Sequence, residues 1–128
     1  MTDINKSAFA NCPNLSKITF SKSLQTIKEY SFSNCDSLTS ITLTEGLISI
    51  SSNAFNGCSS LSKVVILANN IECVNSANIF SGCNLSEVVF SNNTVVPSGL
   101  FCGAAFNESV ALTIPNYIQE IGENAFKN

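Results

Sequence analysis

Six apolar positions recur in one order through the first half of the chain, spaced I-x-x-x-x-F-x-x-C-x-x-L-x-x-I-x-L. Ile4, Phe9, Cys12, Leu15, Ile18 and Phe20 form the first copy, and Ile27, Phe32, Cys35, Leu38, Ile41 and Leu43 the second. Ile50, Phe55, Cys58, Leu61, Val64 and Ile66 form the third, and each copy starts 23 residues after the last. Self-similarity at a period of roughly 20–50 residues is the mark of a solenoid, because one such unit cannot bury its apolar face without a neighbour.

Beyond Ile66 the period loosens without disappearing. The phenylalanines at 9, 32, 55, 80, 101 and 126 are spaced 23, 23, 25, 21 and 25 residues apart. Extra residues fall around 69–78, Leu85 arrives one residue early, Ala104 takes the cysteine position, and two inserted residues delay the apolar pair Leu112 and Ile114. These spacings predict about five stacked coils, with repeats near 9–31, 32–54, 55–79, 80–100 and 101–125. Within a coil, the I-x-L piece alternates apolar and polar residues and is rich in β-branched types, which predicts a short strand. A second extended piece is expected at Leu47–Ile50, after a turn at Glu45-Gly46. Ser51–Cys58, with capping residues first and Gly57 near its end, predicts one short helical turn. Stacking the coils builds parallel ladders about 4.8 Å apart and lines up Phe9, Phe32, Phe55, Phe80, Phe101 and Phe126 as a structural spine.

Composition narrows the function classes. Charged residues make up only 12% of 128 residues, and all six basic residues are lysines, giving a net charge of −3. That leaves no basic patch to neutralise phosphates, so no nucleic-acid partner is expected. No apolar run approaches the roughly 20 residues that cross a bilayer, so no membrane insertion is expected. Histidine is absent, which removes Ser-His-Asp and Cys-His catalysis and most catalytic zinc sites. The acids Glu29, Glu45, Glu72 and Glu87 occupy unlike positions in different coils, where paired acid–base work needs two on one face. No catalytic residue, cofactor or metal is expected, and the carboxylates read as solvated surface charge.

The segment Ile50–Ile66, approximately Ile27–Leu43, and almost word for word LTIPNYIQEIGENAF at Leu112–Phe126 resemble the BspA-like leucine-rich repeat family. The resemblance includes Pro115 after the strand and Gly122 before the Ala-Phe pair, and it is looser between Ile71 and Phe106. It implies an α/β solenoid of about five 21–25-residue coils with parallel strands and short helical turns, occupying 1–128 as a single domain. A chain that starts inside its own repeat is expected to be a fragment or a short member. The resemblance also implies a cell-surface or secreted, non-enzymatic module that recognises a protein, such as one of a host surface or extracellular matrix. No signal-peptide pattern precedes the repeats in this sequence.

Cys12, Cys35, Cys58 and Cys83 share one repeat position and should form a column of buried free thiols, since parallel stacking aims their Cβ vectors alike. Cys73 and Cys102 fall outside the column, and buried packing is favoured over pairing or reactivity. Asn5, Asn14, Asn84, Asn92 and Asn107 each open an N-x-[ST] triplet, mostly a consequence of so much Asn and Ser.

A partner is expected on the strand face. The residues that alternate with the inward pair are Lys17 and Thr19, Ser40 and Thr42, Lys63 and Val65, Glu87 and Val89, then Thr113. A β-branched column of this kind serves strand propensity first. Its functional reading is a contact patch of Val65, Val89 and Leu67 flanked by Lys63 and Glu87. The alternative is a self-associating scaffold, a homodimer through solenoid ends at Phe9 and Phe126.

Overall fold

A computed structural model describes residues 1–75, 78–91 and 93–128. Among the described residues stand nine short strands: β1 (Asp3–Ile4), β2 (Thr26–Ile27), β3 (Ser40–Leu43), β4 (Ser49–Ser51), β5 (Lys63–Ile66), β6 (Glu72–Val74), β7 (Glu87–Phe90), β8 (Val95–Val96) and β9 (Glu120–Ile121). All pairings are parallel, and every pair joins one coil to the next. One ladder runs β1-β2-β4-β6, a second runs β3-β5-β7, and β8 pairs with β9. The chain is a parallel solenoid of about five turns, with two ladders on different sides of each coil and the core between them.

The core follows from the repeat. Ile27, Phe32, Cys35, Leu38, Ile41 and Leu43 are all buried, as are Ile50, Phe55, Cys58, Leu61, Val64 and Ile66. The six phenylalanine rings stack with neighbouring centroids 5.1 to 5.5 Å apart. Offset stacking at this spacing adds to the area each ring buries. Backbone bonds carry the same period through the turns, with the Phe32 amide donating to the Ala54 carbonyl at 2.8 Å and Phe55 to Ile79 at 2.9 Å.

No helix forms among the described residues, which corrects the expected short helical turns, including the one over Ser51–Cys58. The reason is a left-handed residue on each side of the spine phenylalanine. Two positions before it stand Ser7, Tyr30, Asn53, Asn78, Gly99 and Asn124, all at positive φ. Two positions after it stand Asn11, Asn34, Gly57, Gly82 and Gly103, again at positive φ. A right-handed helix cannot pass through such residues, whereas Asn and Gly adopt this conformation at least cost. The abundant asparagine thus shapes the turns. Asn34 also donates its side-chain amide to Asn11 Oδ1, one coil away, at 2.9 Å.

The I-x-L pieces of coils two to four form β3, β5 and β7, but Ile18–Phe20 and Leu112–Ile114 are not strands. On either side of the unpaired stretch 16–20 the first two coils are tied by hydroxyls instead: Thr44 Oγ1 donates to Ser21 O at 3.1 Å, and Ser37 Oγ donates to Pro13 O. At the other end, the residues inserted after Ala104 redirect the chain. Leu85 bridges Phe106, its amide donating to Ala105 O and its carbonyl accepting from Asn107 N at 2.7 Å.

Candidate partner-binding face

Strand register decides which of the outward residues stand together. Ser40 is opposite Lys63, which is opposite Glu87, and Thr42 is opposite Val65, which is opposite Val89. The inward alternates Ile41, Leu43, Val64, Ile66, Val88 and Phe90 are buried, so the other side chains of these strands face out. Thr42, Val65 and Val89 are each half-buried, because cross-strand neighbours cover one another's flanks. Leu67 lies just past β5, half-buried, held by its amide bond to Leu43 O at 2.9 Å.

Lys63 Nζ sits 3.7 Å from Glu87 Oε2, with both side chains well exposed. A pair so exposed contributes about 1 kcal/mol at most to stability. It holds two charges at the edge of the Val65–Val89 stripe without adding net charge. Lys17 and Thr19 lie beside β3 and Thr113 beyond β7, all three exposed and none in a strand.

Two surface features escape the repeat pattern. Where 17–20 fails to pair with β3, a groove of about 250 Å³ opens, lined by Lys17, Ile18, Thr19, Phe20, Ser40, Ile41, Thr42 and Thr44. Where the first ladder stops between β6 and β8, a shallow cleft of about 500 Å³ is lined by Ile48, Ile71, Glu72, Cys73, Val95, Pro97 and neighbours. The uninterrupted 23-residue step from Ile50 to Cys73 to Val96 hides this break in the sequence.

The six cysteines stand as free thiols. In the column, Cys35, Cys58 and Cys83 donate to the carbonyls of Phe9, Phe32 and Phe55 at 3.2, 3.0 and 3.3 Å. Each thiol thereby satisfies a turn carbonyl of the preceding coil. Burial pushes Cys35 up to about 11 and Cys73 up to about 12, while the hydrogen bond between Cys58 and Cys83 raises Cys83 and lowers Cys58. Protonated thiols are poor nucleophiles and poor metal ligands. Cys73 occupies the isoleucine position opposite Ile50, half-buried, and Cys102 is half-buried also. Among the described residues, no group of three or more metal-ligating side chains gathers. Asn5, Asn14 and Asn84 are exposed and Asn107 half-buried, while the triplet at Asn92 opens outside the described residues.

Among the described residues, no helix is long and apolar enough to cross a membrane. Comparison with curated proteins and with solved structures found no match in either. Comparison with family models found the BspA type leucine-rich repeat region, in six copies over residues 1–106 and 74–128. With stacked repeats, parallel ladders and a family model covering the whole sequence, the chain belongs to the BspA-type leucine-rich repeat family, whose repeats serve protein–protein interaction.

Proposed function

We propose that this chain is a non-enzymatic recognition module that binds a protein through the outer face of β3, β5 and β7. One observation carries the reading: Thr42, Val65 and Val89 stand in register as an outward stripe with Leu67 beside it and an ion pair at its edge. Half-buried aliphatic side chains on a flat strand face lose little entropy when covered, and they gain from leaving water. Lys17, Thr19 and Thr113 extend the face at its two ends. Residues 1–128 act together as one repeat domain, as a single buried cluster running from Ile4 to Ala125 supports.

The surface habit of the family supports placement at a cell surface or in secretion, with a host-surface or matrix protein as the partner class. The test is binding of the chain to purified matrix and cell-surface proteins, followed by surface plasmon resonance. Lys63→Glu and Val65→Asp together are expected to lower affinity at least tenfold while the far-UV spectrum and melting temperature hold. Equal affinity for the variant would remove this face as the binding site.

A second reading, self-association through the solenoid ends, draws on apolar exposure there: Phe9 is 36% exposed and Ile121 53%. A defined mass above the monomer in light scattering would mark it, and a monomer at all concentrations would dismiss it.

A further inference from the structure

The groove between segment 17–20 and β3 lies on the same face and is of a different kind from the apolar stripe. Its lining joins apolar Ile18, half-buried, and the largely buried Phe20 and Ile41 to the hydroxyl residues Thr19, Ser40 and Thr42. One cation, Lys17, stands at its mouth, exposed. The ion pairs among the described residues are Lys22–Glu45 and Lys63–Glu87, so Lys17 stands outside both. Glu45, the acid closest in sequence to β3, is turned to Lys22 at 3.9 Å. Among the described residues, no carboxylate lines the groove.

The backbone adds donors. Lys63 N–H bonds Thr39 O and Leu67 N–H bonds Leu43 O, so Thr39, Ile41 and Leu43 turn their peptide groups toward β5. In a parallel ladder each residue faces both its N–H and its C=O to one side, and alternate residues face opposite sides. Thr42 and Thr44 therefore aim their N–H groups into the groove, where no backbone bond joins them to 16–20 among the described residues. A free ammonium, peptide N–H groups and hydroxyls beside an apolar lining suit one kind of guest: an apolar stem ending in a carboxylate.

We propose that this groove receives an acidic side chain, Asp or Glu, from an extended segment of the protein partner. The carboxylate meets Lys17 and the Thr42 N–H while its methylenes lie against Ile18, and the rest of the segment continues onto Thr42, Val65 and Val89. This inference rests on the face reading above and adds to it the chemistry of the contact.

The probe is a displayed library of short random linear peptides, selected on the wild-type chain. Selected peptides are expected to share an Asp or Glu, and changing it to Asn or Gln should weaken binding roughly tenfold or more, as for a charge-assisted hydrogen bond. Lys17→Gln on the protein should cost about the same factor, and the Thr42 amide resonance should move on titration of the peptide. Because Lys17 is exposed, its melting temperature should be unchanged, which separates lost contact from lost fold. If Val65→Asp abolishes binding and Lys17→Gln does not, the face stands and the groove proposal fails. If Lys17→Gln abolishes binding and Val65→Asp does not, the groove stands and the apolar stripe falls. A selection that yields no binders, or binders without an acid, overturns the groove proposal.

Discussion

Replacing Phe55 by alanine is expected to lower the free energy of unfolding by roughly 3–5 kcal/mol. Phe55 is wholly buried and stacks on two rings at once, Phe32 at 5.1 Å and Phe80 at 5.5 Å. Its truncation leaves a ring-sized void between the Phe32 and Phe80 rings, whose coils are held at fixed spacing by backbone hydrogen bonds such as Phe32 N–H to Ala54 O and Phe55 N–H to Ile79 O, so little collapse can fill it. Domains are stable by only about 5–15 kcal/mol in total, so one such loss is a large share. Phe9 offers the internal comparison, with one stacked neighbour and 36% exposure. Phe9→Ala should therefore cost well under half as much. Urea unfolding of the two variants checks both magnitudes, and equal small losses would mean that the ring column does not hold the coils together.

Gly46→Ala should cost about 2–3 kcal/mol through forced overpacking. A Cβ at Gly46 would lie 2.0 Å from the carbonyl oxygen of Lys22 and 3.1 Å from that of Leu24. Both obstacles are backbone in the preceding coil, so no side chain can swing aside. The turn at Glu45-Gly46 must instead move away from residues 22–24 and drag Leu47, buried beside it. At Gly57 the nearest atom to a new Cβ is the Asn34 side-chain oxygen, which can rotate away, although a φ of 76° keeps that site strained for any other residue. A thermal melt of Gly46→Ala that matches wild type would mean that the turn at 45–46 gives way at no cost, contrary to this expectation.

The parts of this fold that were legible in the sequence are those where chemistry repeats. Phe and Cys recur at one spacing, so the ring stack and the thiol column follow from counting, and Ser40, Lys63 and Glu87 fall opposite each other because each step preserves register. In sequence the turn around the spine resembles a helix start because Ser-Ser-Asn-Ala-Phe satisfies helix-capping preferences as well as turn preferences. What separates the two is the sign of φ at Asn53, 58° here. A column of Asn, Gly and Ser at fixed offsets before and after phenylalanine was the available signal, since only a left-handed requirement would place those residue types there repeatedly. The groove at 17–20 gave no signal at all. Lys17-Ile18-Thr19-Phe20 has the same alternation as Lys63-Val64-Val65-Ile66, and the loss of its backbone pairing depends on how hydroxyls of the next coil engage Ser21 and Pro13.

Repetition of the buried spacing without repetition of the outward residues also explains why the repeat fixes architecture and leaves the partner to outward positions. Replacing Val65 changes nothing in the buried skeleton, whereas replacing Val64 beside it would open the core. Recognition on such a scaffold is therefore carried by side chains that the repeat does not specify.

The most direct test of the recognition claim is a hydrogen-exchange footprint of the chain, free and bound to a purified surface or matrix protein that it retains. Slowed exchange on complex formation at residues 63–67 and 87–90, with Ser40–Thr44 following, is the predicted result. Slowed exchange confined to the turns around Phe32 and Phe55, with 63–67 and 87–90 unchanged, would place the partner on another side of the solenoid and contradict the account.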